Sequence, residues 1–349
     1  MRPYLVFGAG AVGSTLAAYL ARRGHTVAAV ARAPHVEAIH RQGGIRVVAR
    51  EETFLAPVEA SAVIPGSLPS PAVILLTVQG PDVTAALDAL GEAARRHPVV
   101  TFQNGIRAEE HAAPRCERLY GGVVRFTSTL LEAGEVRLRA PGVLIVGRYP
   151  EGRDELADDL GADFRAAGFS AHVSPRIVDD KLLKLLVNLV SGPPVLLRRT
   201  GREPVLAAVQ VAVLLEARNV LAAAGLSPSP AAGIGDTIEE LLERFREGGT
   251  PPDTRGRVYN STWQNLHHRR SRLENDAYHG EIARWGKELG IPTPVNTRVL
   301  EVLEEVRRKR LGPEPFDREQ FQKRFADLVD SSELLRGSGG ARERGGLEV

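Results

Sequence analysis

Tyr4-Leu5-Val6-Phe7-Gly8-Ala9-Gly10-Ala11-Val12-Gly13 is the stretch whose reading decides the fold. An apolar run enters three glycines spaced Gly-x-Gly-x-x-Gly. A helical pattern follows over 14–23 and is closed by Gly24, and 26–31 reads as a second buried strand. The triplet gains its meaning from that strand–helix–strand context. Its glycines let the backbone turn tightly and approach a pyrophosphate, and the helix N-terminus offers free N–H groups to it. Gly8, Ala9, Gly10, Ala11, Val12 and Gly13 are therefore read as cofactor-binding.

The end of the second strand selects the dinucleotide. A site for NAD(H) wants a carboxylate there for the ribose hydroxyls. This chain has Ala31-Arg32-Ala33 and no carboxylate until Glu37. Arg32 suits a 2′-phosphate, and the expected cofactor is NADP(H); a solvated arginine in an arginine-rich chain is the competing reading.

Working outward, 45–48, 54–58, 72–78 and 99–102 read as strands, and 81–96 as one amphipathic helix. The run at 72–78 is continuously apolar, as for a strand covered on both faces. Alternating strands and helices predict a parallel, doubly wound sheet. From 120 to 146 glycine turns between strand-like runs predict an antiparallel addition, followed by a helix at 153–167 and an edge strand at 171–173. After Pro175 the pattern is helical: Ile177–Ser191, 203–224, 230–246, 273–289 and 295–310. The expected class is α/β, with an N-terminal Rossmann-type sheet and a mostly α-helical C-terminal domain. The expected division is 1–174 for NADP binding and 175–330 for substrate and catalysis, with a disordered tail at 331–349 rich in Gly, Arg, Glu and Ser.

Composition narrows the function. A net charge of +2 over 349 residues gives no electrostatic reason for nucleic acid or an acidic membrane. No apolar run is read as membrane-spanning, and the N-terminus lacks the pattern of a signal peptide. The single cysteine, Cys116, excludes an internal disulfide and a multi-cysteine metal site, and suits a reducing cytoplasm. Arginine outnumbers lysine 40 to 5, so each lysine draws notice.

Two of those lysines fall in one helix. Lys184, Asn188 and Gly192 stand at i, i+4 and i+8 and share a face. A lysine can release a proton and an arginine effectively cannot, which makes Lys184 a candidate general acid. A structural role competes with that reading. Lys181 is expected at the surface. Asn104, in Gln103-Asn104-Gly105, ends a predicted parallel strand, where ligands gather; its competitor is an ordinary Asn-Gly turn. Ser271-x-x-Glu274 has the spacing of a capping box at the start of a helix, so Glu274 is either a cap or a functional carboxylate. The run His267-His268-Arg269-Arg270 lacks companion metal-ligand spacing and reads as a solvated basic stretch. Trp263 and Trp285 read as packing residues.

Taken in order, these motifs resemble the ketopantoate reductase (2-dehydropantoate 2-reductase) family. The resemblance rests on Gly8–Gly13, Gln103-Asn104-Gly105, Lys184-Leu185-Leu186-Val187-Asn188, Ser261-Thr262-Trp263-Gln264, Glu274-Asn275-Asp276, Gly280-Glu281-Ile282, and the run from Gly290 to Asn296. It extends from Arg2 to Arg310. It implies NADPH-dependent reduction of 2-dehydropantoate to pantoate, in pantothenate synthesis. It implies Lys184 as the catalytic lysine, Asn188 and Ser261 as substrate-binding, Asn104 as touching cofactor and substrate, and Glu274 as an active-site glutamate that serves catalysis and ligand binding.

Three positions depart from the family. Gln79, at the cofactor, replaces a lysine; Gly192 replaces a second helix asparagine; His279-Gly280 replaces Asn-Gly. These departures bear on the substrate more than on the reaction type. Rival readings are a reductase of another small keto or hydroxy acid, a non-catalytic NADP-binding sensor, and a methyltransferase; Arg32 argues against the last. The expected partner is a small 2-keto acid, with room left for a homodimer.

Overall fold

The structure, a computed structural model, describes residues 1–138, 140–198, 201, 203–247, 260–269, 271–330 and 334–335. All but two residues of the expected tail, and Arg270 of the basic run, lie outside them. The chain divides into two compact units: Met1–Leu185 with Pro228–Gly235, and Leu186–Ser227 with Asp236–Val349.

The first unit opens with β1 (Tyr4–Phe7), α1 (Ala11–Arg22), β2 (Val27–Val30), α2 (Ala33–Gln42), β3 (Ile45–Val48), β4 (Thr53–Ala56), β5 (Glu59–Ser61) and β6 (Val73–Leu76). It continues through α3 (Val83–Leu90), α4 (Glu92–Arg96), β7 (Val99–Thr101), α5 (Arg107–Ala112), β8 (Leu119–Arg125), β9 (Ser128–Glu132), β10 (Glu135–Leu138), β11 (Val143–Arg148), α6 (Glu155–Ala166) and β12 (Ser170–Val173). An eight-stranded sheet has the order β12-β11-β8-β7-β6-β1-β2-β5. The strands from β8 to β5 are mutually parallel, and β11 pairs antiparallel with β8. β1 and β6 are apolar throughout because helices cover both faces, and Leu5, Val6, Val73, Ile74, Leu75 and Leu76 are fully buried. β12 takes the expected edge.

Three local expectations change. The predicted helix at 81–96 is interrupted: Gly91 adopts φ +51°, which ends α3 and begins α4. β5 extends the parallel sheet beside β2, although three residues with two polar side chains carry little strand signal. The antiparallel section does not all join the main sheet. β9 and β10 pair with β3 and β4 in a separate four-stranded sheet of order β4-β3-β10-β9.

α7 (Ile177–Ser191) begins in the first unit and ends in the second. The second unit is helical: α8 (Pro204–Ala223), α9 (Ile238–Arg246), α10 (Ser261–His267), α11 (His279–Leu289), α12 (Pro294–Arg308) and α13 (Arg318–Phe325). α8 is long and apolar enough to cross a membrane, contrary to the sequence reading, but 72% of that stretch is buried inside the protein. It serves as the core helix against which α9, α11 and α12 pack. Residues 230–237 do not continue α9. Instead Thr237 starts that helix with a reciprocal capping box to Glu240. Likewise, 273–289 divides into a 3-10 turn, Glu274–Ala277, and α11.

Candidate functional site

The loop after β1 is held by its own backbone. The Gly8 and Ala9 N–H groups donate to Val30 O, at 3.1 and 2.9 Å. Gly8 has φ +105°, and a Cβ there would lie 2.6 Å from Val78 N. A Cβ on Gly13 would lie 2.5 Å from Thr77 Oγ1 and 2.6 Å from Gly8 O. Those two glycines are required by the protein itself. Gly10 is different: its Cβ would meet nothing nearer than Gly8 O at 3.9 Å. It caps α1, whose first turn has no side-chain cap and no acidic residue. Open space beside uncapped N–H groups fits a phosphate-bearing cofactor, and a side chain at Gly10 would intrude on it. Ala9 is buried, while Ala11 and Val12 are partly exposed at the same turn.

A buried network braces this loop. Ser14 Oγ donates to Ala9 O at 3.1 Å and meets His35 Nε2 at 3.0 Å. His35 Nδ1 accepts the Gly134 N–H at 2.8 Å, so Nε2 carries the ring proton of the neutral form. Burial, reinforced by Arg32, holds that imidazole below its ordinary pKa. Arg32 itself is the exposed N-cap residue of α2, at the carboxyl end of β2. Gln79 is exposed at the end of β6.

The end of β7 is anchored more firmly than the Asn-Gly reading anticipated. Gln103 Nε2 donates to Leu76 O at 3.0 Å and Val78 O at 2.8 Å, which ties the β7 end to the β6 end. Asn104 follows, half-buried, and Gly105 turns at φ +75°. Lys181 Nζ donates to Gln103 O at 2.9 Å and pairs with Glu109 Oε1 at 2.5 Å. Lys181 is 2% exposed, which overturns its expected place at the surface. Burial pushes the Glu109 carboxyl up, while Lys181 and Thr101 pull it down. Lys184 stands one turn further along α7, half-buried, and Asn188 one turn beyond that, 8% exposed.

In the helical unit, Tyr278 joins two of the predicted residues. Its hydroxyl donates to Glu274 Oε2 at 2.9 Å and is hydrogen-bonded to Ser261. Burial and the Glu274 charge hold the phenol well above its ordinary pKa. The capping box at Ser271 does not form, because Leu273 is the residue that opens the turn. Asn260 caps α10 through Trp263 N at 2.8 Å and donates to Ser191 O at 2.7 Å, fixing Ser261 against the end of α7. The departure at Gly192 has a steric cause: a Cβ there would lie 2.8 Å from His279 Nε2 and 3.4 Å from Asn275 Nδ2. His267 and His268 are exposed, and His267 stacks on Trp263 at 4.7 Å.

The structure thus gathers Gly8–Gly13, Arg32, Gln79 and Asn104 at the carboxyl ends of one parallel sheet, and links Ser261 to Glu274 in the helical unit. Residues 4–151 match the model of the ketopantoate reductase PanE/ApbA family, and residues 176–307 match that family's C-terminal model. The chain belongs to the ketopantoate reductase family. It is 28% identical over 298 residues to the 2-dehydropantoate 2-reductase of Pyrococcus horikoshii, covering 83% of this chain and 93% of that one. A PanE/ApbA family ketopantoate reductase from Ralstonia eutropha superposes with TM-score 0.73 at 26% identity, covering 88% of this chain and 99% of that one. The ternary structure of D-mandelate dehydrogenase with NADH and anilino(oxo)acetate has the same fold, with TM-score 0.76 at 21% identity over 89% of this chain and all of the other.

The family is one of oxidoreductases, and its fold is the one described above. Within this member, sequence reasoning passed over Lys181, Glu109 and Tyr278. A signal existed for Lys181, as one of five lysines against 40 arginines. Glu109 carried none, because Lys181 becomes its neighbour only on folding; Tyr278 stands four residues after Glu274, a spacing that could have linked the two.

Proposed function

We propose that this protein reduces 2-dehydropantoate to pantoate with NADPH, and that Lys184 is the general acid. The observation that carries the reading is Lys184 itself, half-buried on α7 one turn before Asn188, in a family of 2-keto acid reductases. When bound, NADPH supplies the hydride to the keto carbon. The loop Gly8–Gly13 receives the pyrophosphate on the uncapped start of α1, with room left at Gly10. Arg32 pairs with the 2′-phosphate, and Gln79 and Asn104 complete the cofactor's contacts. Negative charge builds on the carbonyl oxygen, and the Lys184 ammonium stabilises and protonates it. Asn104, Asn188 and Ser261 hold the substrate's polar ends. Glu274, fixed by Tyr278, supplies the carboxylate of the helical unit.

General acid catalysis contributes about 10²–10⁴-fold. Lys184→Ala is expected to keep NADPH binding and lose that much turnover, measured by NADPH absorbance. Near wild-type kcat would remove the lysine from this role. A hydrogen bond to a charged group is worth about 1.5–3 kcal/mol, or about 10- to 150-fold in affinity. NADPH should therefore outrank NADH by that factor, and Arg32→Ala should abolish the preference. Reduction of a different 2-keto acid is the second reading, favoured by the replacement of a helix asparagine with Gly192 beside His279. A substrate panel of kcat/KM values decides between them.

A further inference from the structure

Arg125 ends β8, which runs parallel to β7, so it lies at the same carboxyl edge of the sheet as Gln103 and Asn104. Side chains alternate along a strand, which puts Gly121, Val123 and Arg125 on one face. That face meets α7. A Cβ on Gly121 would touch Ile177 and the Lys181 stem, and Val123 packs with Ile177. The Arg125 guanidinium lies against Gly235, where a Cβ would come within 2.7 Å of Nη2. Nε and Nη2 are sealed from solvent and have no hydrogen-bond partner among the described residues.

Asp180 on α7 is a carboxylate that feels the Arg125 charge, and it does not fill that gap. Asp180 Oδ2 accepts from Ser174 Oγ at 2.5 Å and Oδ1 from the Ala232 N–H at 3.4 Å. Arg125 acts on it through space alone. Leaving buried guanidinium donors unfilled is costly. Nε and Nη2 form one two-donor edge of the fork, the edge that grips a carboxylate bidentately. Asp180 stands one turn before Lys184, so Arg125 acts through space on the helix that carries the acid.

We propose that Arg125 binds the substrate's carboxylate, a contact that rests on reading the protein as a 2-keto acid reductase. In a 2-keto acid the carboxylate is bonded directly to the carbonyl carbon. An anchor for one must therefore sit beside the proton donor for the other. The preferred ligands are small 2-keto acid anions, and a neutral 2-keto amide is a poor substitute.

The test compares wild type with Arg125→Gln and Arg125→Lys. In Arg125→Gln, KM for the 2-keto acid should rise about 10- to 150-fold. KM for NADPH should stay within about twofold, and the preference for acid over the matching amide should collapse. Arg125→Lys should retain most of that preference, which a loss of fold would not allow. Calorimetry with oxalate on the NADP⁺-loaded protein gives a reading independent of turnover: wild type binds and Arg125→Gln does not. Unchanged KM and unchanged oxalate binding in Arg125→Gln would overturn the assignment while leaving the reaction in place. Arg125-dependent oxalate binding with no turnover of any 2-keto acid would uphold the carboxylate site and refute the reaction.

Discussion

Lys181 Nζ stands 2.5 Å from Glu109 Oε1, with the two side chains 2% and 0% exposed. This pair fastens α7 to α5, and its lysine also holds the carbonyl that precedes Asn104. The helix bearing the proposed acid and the loop bearing the proposed cofactor contact are thereby fixed to each other within one unit.

Breaking one side of a buried pair costs about 3–5 kcal/mol, because the remaining charge is stranded. Lys181→Met should lower the melting temperature by about 6–20 °C, at roughly 2–4 °C per kcal/mol for domains of this size. Adding Glu109→Leu should restore most of the loss. A single variant as stable as wild type would show that the pair holds nothing.

The glycine loop offers a separation of structural from ligand-binding roles. Gly13→Ala drives a methyl into Thr77 and the Gly8 carbonyl, so both stability and NADPH binding should fall. Gly10→Ala meets no such obstacle. Its melting temperature should stay near wild type while NADPH affinity drops at least about tenfold, since a methyl displaces the phosphate. Equal cofactor affinity in Gly10→Ala, by fluorescence titration, would place the phosphate elsewhere.

Gly192 and His279 should behave as a coupled pair. Gly192→Ala is expected to destabilise, and the penalty should shrink in the presence of His279→Ala. Residues in contact couple by about 0.5–3 kcal/mol, which a double-mutant cycle resolves. Strict additivity would mean that the imidazole does not occupy the space the glycine leaves.

His279 also predicts an acid sensitivity. Burial lowers its pKa from 6.5 to about 4, with Nδ1 donating to Asn296 Oδ1 at 2.8 Å. The unfolded chain takes up the proton first. The contribution of His279 is therefore complete above pH 6.5 and is lost as pH falls through about 4. At about 1.4 kcal/mol per pKa unit, some 3 kcal/mol is at stake. His279→Gln should flatten the stability profile between those two values; an unchanged slope in urea unfolding would assign the sensitivity to other groups.

What could be read in advance follows from how far each determinant reaches along the chain. The strand–glycine–helix unit was legible because its spacing is local, and α7 was legible from its periodicity, at the same bounds the structure shows. Sequence also singled out Lys184, as a lysine against an arginine-rich background, and Arg32, by its place where an NAD site would hold a carboxylate. The interruption at Gly91 was not legible, because one glycine within a helical pattern is usually tolerated. Nor was the loss of the capping box at Ser271, since the Glu274 carboxylate goes to Tyr278 instead.

By itself, then, the sequence determined the Rossmann-type unit, the helical unit after it, the glycine turn after the first strand and the character of the lysine-bearing helix. All of these rest on periodicity and on backbone rules that act over a few residues. Tertiary structure decided which charges are sealed together, which strands share a sheet and which cation keeps unfilled donors. Lys181 finds Glu109, β9–β10 find β3–β4, and Arg125 goes without a bonded carboxylate among the described residues. Such outcomes depend on desolvation and on partners distant in the chain, which no local pattern encodes.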